Sequence, residues 1–224
     1  MNGAGWLSYS LQDFIMFGPQ VFLRLFVRIN QDWWPWQLIA VLACLLVPFL
    51  MVSHKPRVRR LALGLISAGW IVSVYGFLAG YFGPINWPAE LFGWAFVFQG
   101  DRSDQSDSLP KGQQRLVTQG LLFCWIAGVL ALPSLPVAET GDWRALALFG
   151  VTPWTTAVVS MLAIAVLPSP WRWIYLVVPV LWSLFSAATF WVLQTTWLLA
   201  LPVATLIFAG LGVWFSPSRA QTRG

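Results

Sequence analysis

The chain has 224 residues, of which 58% are hydrophobic and only 9% charged, with 13 Lys and Arg against 8 Asp and Glu; mean hydropathy is +0.70. So little charge cannot furnish the polar shell of a soluble domain, where about 25% charged residues is usual, and it excludes a disordered chain, which is polar and charge-rich. The basic residues are scattered between apolar runs, which argues against nucleic acid as a partner and predicts an all-α protein whose principal partner is a lipid bilayer.

Residues 1–36 form an N-terminal amphipathic interfacial segment. Met1 to Tyr9 contain neither Lys nor Arg and no apolar run, so no cleavable signal peptide is expected. Ser10 and Asp13 resemble a capping box that opens a helix, and Gly18-Pro19 interrupts it. Beyond the interruption Phe22, Leu25, Phe26 and Ile29 recur at helical spacing, with Arg24 and Arg28 four apart on another face. Such a helix suits the membrane interface, as a brace packed on the bundle or as a docking element for a partner.

Residues 37–215 read as a single transmembrane bundle. A crossing helix needs roughly 17–25 mainly apolar residues. Seven stretches are candidates: 37–52, 61–82, 87–99, 116–132, 145–167, 174–193 and 197–215, the third being short. Cytoplasmic loops carry the excess of Lys and Arg. With seven crossings, Lys55, Arg57, Arg59, Arg60, Arg102, Lys111, Arg115, Arg172, Arg219 and Arg223 fall on one side, and Arg24, Arg28 and Arg144 on the other. A re-entrant third segment would move every later loop across and largely erase that bias. The expected topology therefore has the N-terminus outside, with loop 100–115 and the tail 216–224 in the cytoplasm.

Tryptophan placement agrees. Trp33, Trp34, Trp36, Trp87, Trp143 and Trp197 fall near the outer boundary, and Trp171, Trp173 and Trp214 near the inner one, the depth an indole with one N–H prefers. Trp70, Trp94, Trp125, Trp154 and Trp182 lie deeper, as core packing or as stacking platforms for a pigment or quinone.

Residues suited to chemistry are few. His54 is the sole histidine, and Cys44 and Cys124 sit in apolar runs. One chain therefore assembles neither a His/Cys metal cluster nor a two-histidine haem site, and no catalytic residue, metal or cofactor is expected. Glu90 is the one acidic residue within an apolar stretch. Intramembrane ionisable groups are functional candidates, yet Asn86-Trp87-Pro88-Ala89-Glu90 also reads as a capped helix start near the outer interface. In the fifth stretch, Phe149-Gly150-Val151-Thr152-Pro153-Trp154-Thr155-Thr156 predicts a kink or break at Pro153. Thr152, Thr155, Thr156 and Ser160 would add hydroxyls there. Transporters use broken helices as substrate sites, and ordinary membrane helices also carry proline kinks satisfied by Ser and Thr; both readings stay open.

Gly69, Ser73, Gly76 and Gly80 line up along the second stretch, and Gly120, Cys124 and Gly128 along the fourth. Small residues let helices approach closely, so these are packing seams toward the same chain or another. Acids every third residue in Asp101–Asp107 fail the calcium-loop pattern. The run from His54 to Arg60 suits orientation and anionic-lipid contact. Asp13, Asp32, Glu90, Glu139 and Asp142 gather on the outer side without any sign of converging.

Several stretches resemble an uncharacterised family of bacterial polytopic integral membrane proteins, some labelled transporter permeases. They are Tyr9-Ser10-Leu11-Gln12-Asp13-Phe14, Arg24-Leu25-Phe26, Trp34-Pro35, Ile85-Asn86-Trp87, Phe92-Gly93-Trp94-Ala95-Phe96, Phe149-Gly150-Val151-Thr152-Pro153 and Pro179-Val180-Leu181-Trp182-Ser183. The family tends to carry Pro-Cys-Pro-Thr-Thr after the Phe-Gly of the fifth stretch. Here Trp154 and Thr155 stand where Cys-Pro would be, and the His often seen upstream is absent around Asp142. The resemblance implies a fold and the bacterial inner membrane; it supplies no activity, and any reaction of that Cys and His is lost here.

Two functions are compatible with these residues. One is permease- or channel-like passage of a small neutral or apolar solute at the broken fifth helix. The other is a non-catalytic accessory subunit that binds partner helices, with or without a hydrophobic cofactor, through its small-residue seams and aromatic surface.

Overall fold

The computed structural model describes residues 17–51, 53, 55–84, 128, 131–166 and 172–214. Among these the regular structure is all helical, with no strand. Seven α-helices follow one another: α1 (Pro19–Asp32), α2 (Gln37–Met51), α3 (Pro56–Ser73), α4 (Leu135–Thr140), α5 (Pro153–Val166), α6 (Arg172–Val192) and α7 (Ala200–Trp214). A π-helical continuation of α3 covers Val74–Phe82, and 3-10 turns cover Leu132–Ser134, Trp143–Ala145 and Thr196–Leu199. The expected segments 87–99 and most of 116–132 lie outside the described residues, as do Ser10, Asp13, Glu90, Trp94, Trp125 and Gly120.

Length separates these helices from one another. Among the described residues, Arg60–Phe82 alone, with 23 residues and mean hydropathy 1.9, is long and apolar enough to cross a bilayer by itself. Helices α1 and α2 satisfy the same test only together, and they meet at 98°. The turn between them is Trp33-Trp34-Pro35-Trp36, with a cis Trp34–Pro35 bond. Leu176–Val192 and Thr196–Leu211 are shorter apolar helices.

Helix α1 opens on Pro19, whose fixed φ and missing N–H fit a first helical position. Its buried stripe is Phe22, Leu23, Phe26 and Ile29, while Arg24 and Arg28 face outward. Leu25, expected on the buried face, is only partly covered and Leu23 replaces it. The helix braces the bundle, since its two phenylalanines enter the core completely.

That core centres on Trp154, the second residue of α5. Six rings surround its indole at centroid distances of 5.2 to 6.2 Å: Phe22 and Phe26 from α1, Phe77 and Phe82 from the π segment, and Trp182 and Phe190 from α6. Four segments far apart in sequence thus share one aromatic cluster. Trp154 Nε1 donates to Ser186 Oγ at 2.9 Å, and Trp70 Nε1 to Ser160 Oγ at 2.7 Å. Both of these buried indole N–H groups therefore find an acceptor on another helix. The core-packing alternative describes Trp70, Trp154 and Trp182.

The stretch 145–167 departs from a kinked but continuous helix. Residues 146–152 are not α-helical, and α5 begins only at Pro153. Asp142 caps the preceding 3-10 turn by accepting from the Arg144 N–H at 2.9 Å. Extended backbone at Leu146 then leads into a turn with Gly150 at φ 71°, a left-handed value that glycine adopts without strain. Gly150 also abuts α3: a Cβ there would lie 3.4 Å from the Gly69 Cα.

The first packing seam is intramolecular at two of its four positions. A Cβ on Gly69 would approach the Phe149 ring to 2.7 Å, and one on Gly76 would approach the Trp33 indole to 2.7 Å. Small residues on α3 and its extension thus receive aromatic rings. Ser73 is fully buried between them, whereas Gly80 is exposed and a Cβ there would meet only the Tyr75 carbonyl, at 3.5 Å. Gly128 has ordinary surroundings: a Cβ there would lie 3.6 Å from Leu132 and 4.0 Å from Val158.

Candidate functional site

The hydroxyls expected to bind a solute hydrogen-bond to backbone carbonyls around the start of α5. Thr152, Thr155, Thr156 and Ser160 are all buried, with at most 5% exposure. Thr152 Oγ1 donates to the Leu148 carbonyl at 3.1 Å and Thr155 Oγ1 to the Ala147 carbonyl. Thr156 Oγ1 donates to the Thr152 carbonyl at 2.7 Å and accepts from the Gly150 N–H at 2.9 Å. Ser160 Oγ donates to the Thr156 carbonyl at 2.7 Å and accepts from Trp70. A helix start leaves orphan backbone groups, and the non-helical residues before it add more. These side chains satisfy the Gly150 N–H and the Ala147 and Leu148 carbonyls of the non-helical stretch, and Pro153 has no N–H to satisfy. The same back-bonding to the carbonyl four residues earlier recurs at Ser183, Thr189 and Thr205, the usual resolution for hydroxyls in apolar helices.

A hollow borders the unwound stretch. A recess of about 390 Å³ is bounded by Asn30 and Gln31 at the end of α1, Trp34 in the corner, and Gln37 at the start of α2. Trp143, Arg144, Leu146 and Leu148 complete its described lining. That volume lies within the range of small-molecule sites, which are mostly apolar with a few polar groups.

Two carboxamides organise the recess. Asn30 Nδ2 donates to the Phe26 carbonyl at 3.0 Å and to the Arg144 and Leu146 carbonyls at 2.8 Å each. It therefore ties α1 to backbone more than a hundred positions away, where extended chain leaves its carbonyls without helical partners. Gln37 Nε2 donates to the Asn30 carbonyl. Gln37 is 4% exposed, and its Oε1 is buried without a hydrogen-bond partner. Buried side-chain polar atoms are paired in the large majority of cases, so this acceptor requires explanation. At the rim the Arg144 guanidinium stands over the Trp143 ring, 5.8 Å from its centroid.

Sequence reasoning placed Asn30 at the end of the arm and Gln37 at the start of a span, without assigning a role to either. The signal was two carboxamides bracketing an aromatic corner. Their partners on 144–146 could not be read from spacing.

The outer carboxylates come closer together than the sequence indicated. Asp32, Glu139 and Asp142 line one groove of about 880 Å³, together with Arg24 and Arg28. Each already has a partner. Asp32 accepts from Tyr81 Oη at 2.6 Å and lies 3.7 Å from Arg28, whose guanidinium also covers the Tyr81 ring. Glu139 accepts from the Trp197 N–H at 2.9 Å, and Asp142 from Arg144. Among the described residues no three His, Cys, Asp or Glu side chains come together as a metal site.

Fold and recess together define an all-helical bundle with an apolar hollow at the corner between its first two helices. Compared with models of known protein families, with curated proteins and with solved structures, the chain finds no match.

Proposed function

We propose that the chain is a multi-pass protein of the bacterial inner membrane that admits a small neutral or apolar solute, permease- or channel-like, through the recess beside α5. One observation carries this reading: the stretch between Ala145 and Pro153 is unwound, and through Leu146 and Leu148 it lines the recess. Irregular backbone at membrane depth is tolerated where it is buried in protein or lines a cavity, and transporters build substrate sites there. The hydroxyls of Thr152 to Ser160 then act as the scaffold of the break, and the solute meets the recess lining.

Membrane residence is supported by the apolar surface. Leu38, Ile39, Leu42, Leu45 and Phe49 of α2 are exposed, as are Val177, Leu181 and Leu184 of α6. Soluble monomers rarely expose contiguous apolar patches of such extent. Seven crossings, with the N-terminus outside and the C-terminus in the cytoplasm, form part of the proposal, as does membership of the bacterial family the motifs resemble. The Tyr81–Asp32 hydrogen bond ties the end of α1 to the π-helical continuation of α3. Arg28 and Asp32 sit at that end, and Lys55 and Arg57 at the opposite turn, in keeping with the sidedness of the charges.

A second reading, the non-catalytic accessory subunit, is favoured by the same exposed faces, which suit partner helices as well as lipid. Purified protein in vesicles separates the two. Stopped-flow light scattering should show glycerol or urea entering faster than in protein-free vesicles, and Leu148→Trp, which fills the recess, should slow it. No acceleration by the wild-type protein would overturn passage. Stoichiometric partner chains in native mass spectra of membrane-extracted protein would then establish the accessory role.

A further inference from the structure

We propose that the groove along α1 seats the headgroup of a zwitterionic phospholipid, its phosphodiester toward Arg24 and its primary ammonium toward Glu139 and Asp142. The inference is independent of solute passage and shares with it only the membrane residence of the chain.

The groove of about 880 Å³ brings opposite charges together without letting all of them neutralise one another. Arg28 and Asp32, four residues apart on α1, pair at 3.7 Å. Arg24, Glu139 and Asp142 belong to no ion pair among the described residues. The two carboxylates are held instead by neutral backbone N–H groups, Glu139 Oε1 by that of Trp197 and Asp142 Oδ1 by that of Arg144, at 2.9 Å each. Such a bond fixes an acid in place and leaves its charge and its other lone pairs available. Glu139 Oε2 and Asp142 Oδ2 carry no hydrogen bond among the described residues and are open to solvent. The α1 side of the groove thus offers an exposed guanidinium, and the α4 side two bare carboxylate oxygens.

A ligand that answers both sides carries an anionic and a cationic group. A simple anion would meet Glu139 and Asp142, and a simple cation would meet Arg24 and Arg28. The guanidinium fork matches phosphate oxygens. A primary ammonium brings three N–H donors to the bare carboxylate oxygens, whereas a quaternary one brings none. The surroundings favour a lipid as the source of this chemistry. Trp143 follows Asp142 in the chain, and Trp197 supplies the N–H that holds Glu139; the two indoles are 70% and 60% exposed. Exposed indoles collect at headgroup depth. Val21 and Val27 add apolar surface to the groove, where the ester region and first methylenes of a lipid find contact. Helix α1, apolar on one face and basic on another, suits the plane of the interface.

The test places the full chain in nanodiscs of phosphatidylethanolamine, phosphatidylcholine and phosphatidylglycerol, in equal amounts and with identical acyl chains. Native mass spectrometry then reads the lipids retained on the released protein. Phosphatidylethanolamine should be enriched about threefold over each of the others. Glu139→Gln combined with Asp142→Asn keeps both acceptors for the backbone N–H groups and should abolish the preference over phosphatidylcholine. Where that double variant fails to assemble, each single amide substitution is read in its place and should lower the preference part way. Arg24→Gln should reduce retention of phosphatidylethanolamine and phosphatidylcholine alike, and Lys55→Gln, at the opposite turn, should change neither. Adducts in the proportions of the mixture, phosphatidylglycerol retained best, a preference that survives removal of the acids, or retention untouched by Arg24→Gln would each overturn the proposal. Displacement of the lipid by soluble glycerophosphoethanolamine would overturn the lipid as the source of the headgroup. Retention is read without flux, so absence of passage leaves this inference standing, and flux without lipid preference sinks it alone.

Discussion

The two N–H groups of Asn30 Nδ2 are shared among three backbone carbonyls, two of them at Arg144 and Leu146 ahead of α5. Removing the side chain strands those carbonyls in a partly buried place. Asn30→Ala should destabilise the bundle by about 1–3 kcal/mol, a fall of roughly 2–4 °C in melting temperature per kcal/mol for a chain of this size. Asn30→Asp should be worse than Ala, because a carboxylate would face the same carbonyls with lone pairs only. Thermal melts in detergent read both, and an Asp variant as stable as wild type would refute the clamp. Nothing local in the sequence announces this role, since the groups Asn30 binds lie in another part of the chain. Thr155 and Thr156 show the converse. Their polarity within an apolar stretch was legible, but whether they face solute or backbone depends on carbonyls freed only once the chain unwinds.

At the scale of elements, α5 starts where the sequence placed a break, yet the break works differently from a kink. Pro153 occupies the first helical position, where its missing N–H removes no helical hydrogen bond. Pro153→Ala should therefore change stability by no more than about 1 kcal/mol, acting mainly through the unfolded chain. Gly69→Ala is expected to do more harm, about 1–3 kcal/mol, because its methyl would run into the buried Phe149 ring. Chemical or thermal denaturation of both variants checks the order; a larger loss for Pro153→Ala would mean that the proline holds the break. The helical stretches of α2, α3 and α6 were readable from apolar runs and their flanks. The extent of unwinding before Pro153 was not, because Ala145–Phe149 is as apolar as a helix interior and its docking surface, Gly69, belongs to another helix. The small residues identified a seam but not its occupants, which are the rings of Phe149 and Trp33.

For the molecule as a whole, the all-helical class was legible from the apolar runs, whose lengths suit helices and exceed those of strands. The recess was beyond reach, being assembled from α1, the corner, and residues 143–148, which share no sequence pattern. Sidedness is the prediction that belongs at this scale. Ala138→Cys and Lys55→Cys are both at exposed positions, beside the outer groove and in the basic turn. A membrane-impermeant maleimide should label Ala138→Cys in intact cells and Lys55→Cys only after permeabilisation. Labelling of both from outside would exclude the proposed topology.

The Asn30 clamp also sets an order of events during synthesis. Its partner carbonyl at Arg144 lies 114 residues downstream, which at about 5–20 residues per second emerges from the ribosome roughly 6–23 s later. Until then α1 has neither its backbone anchor nor Trp154, against which Phe22 and Phe26 pack. Helix α1, made before every other described helix, is therefore among the last of them to be seated, and the nascent chain must keep its apolar stripe out of trouble in the interval.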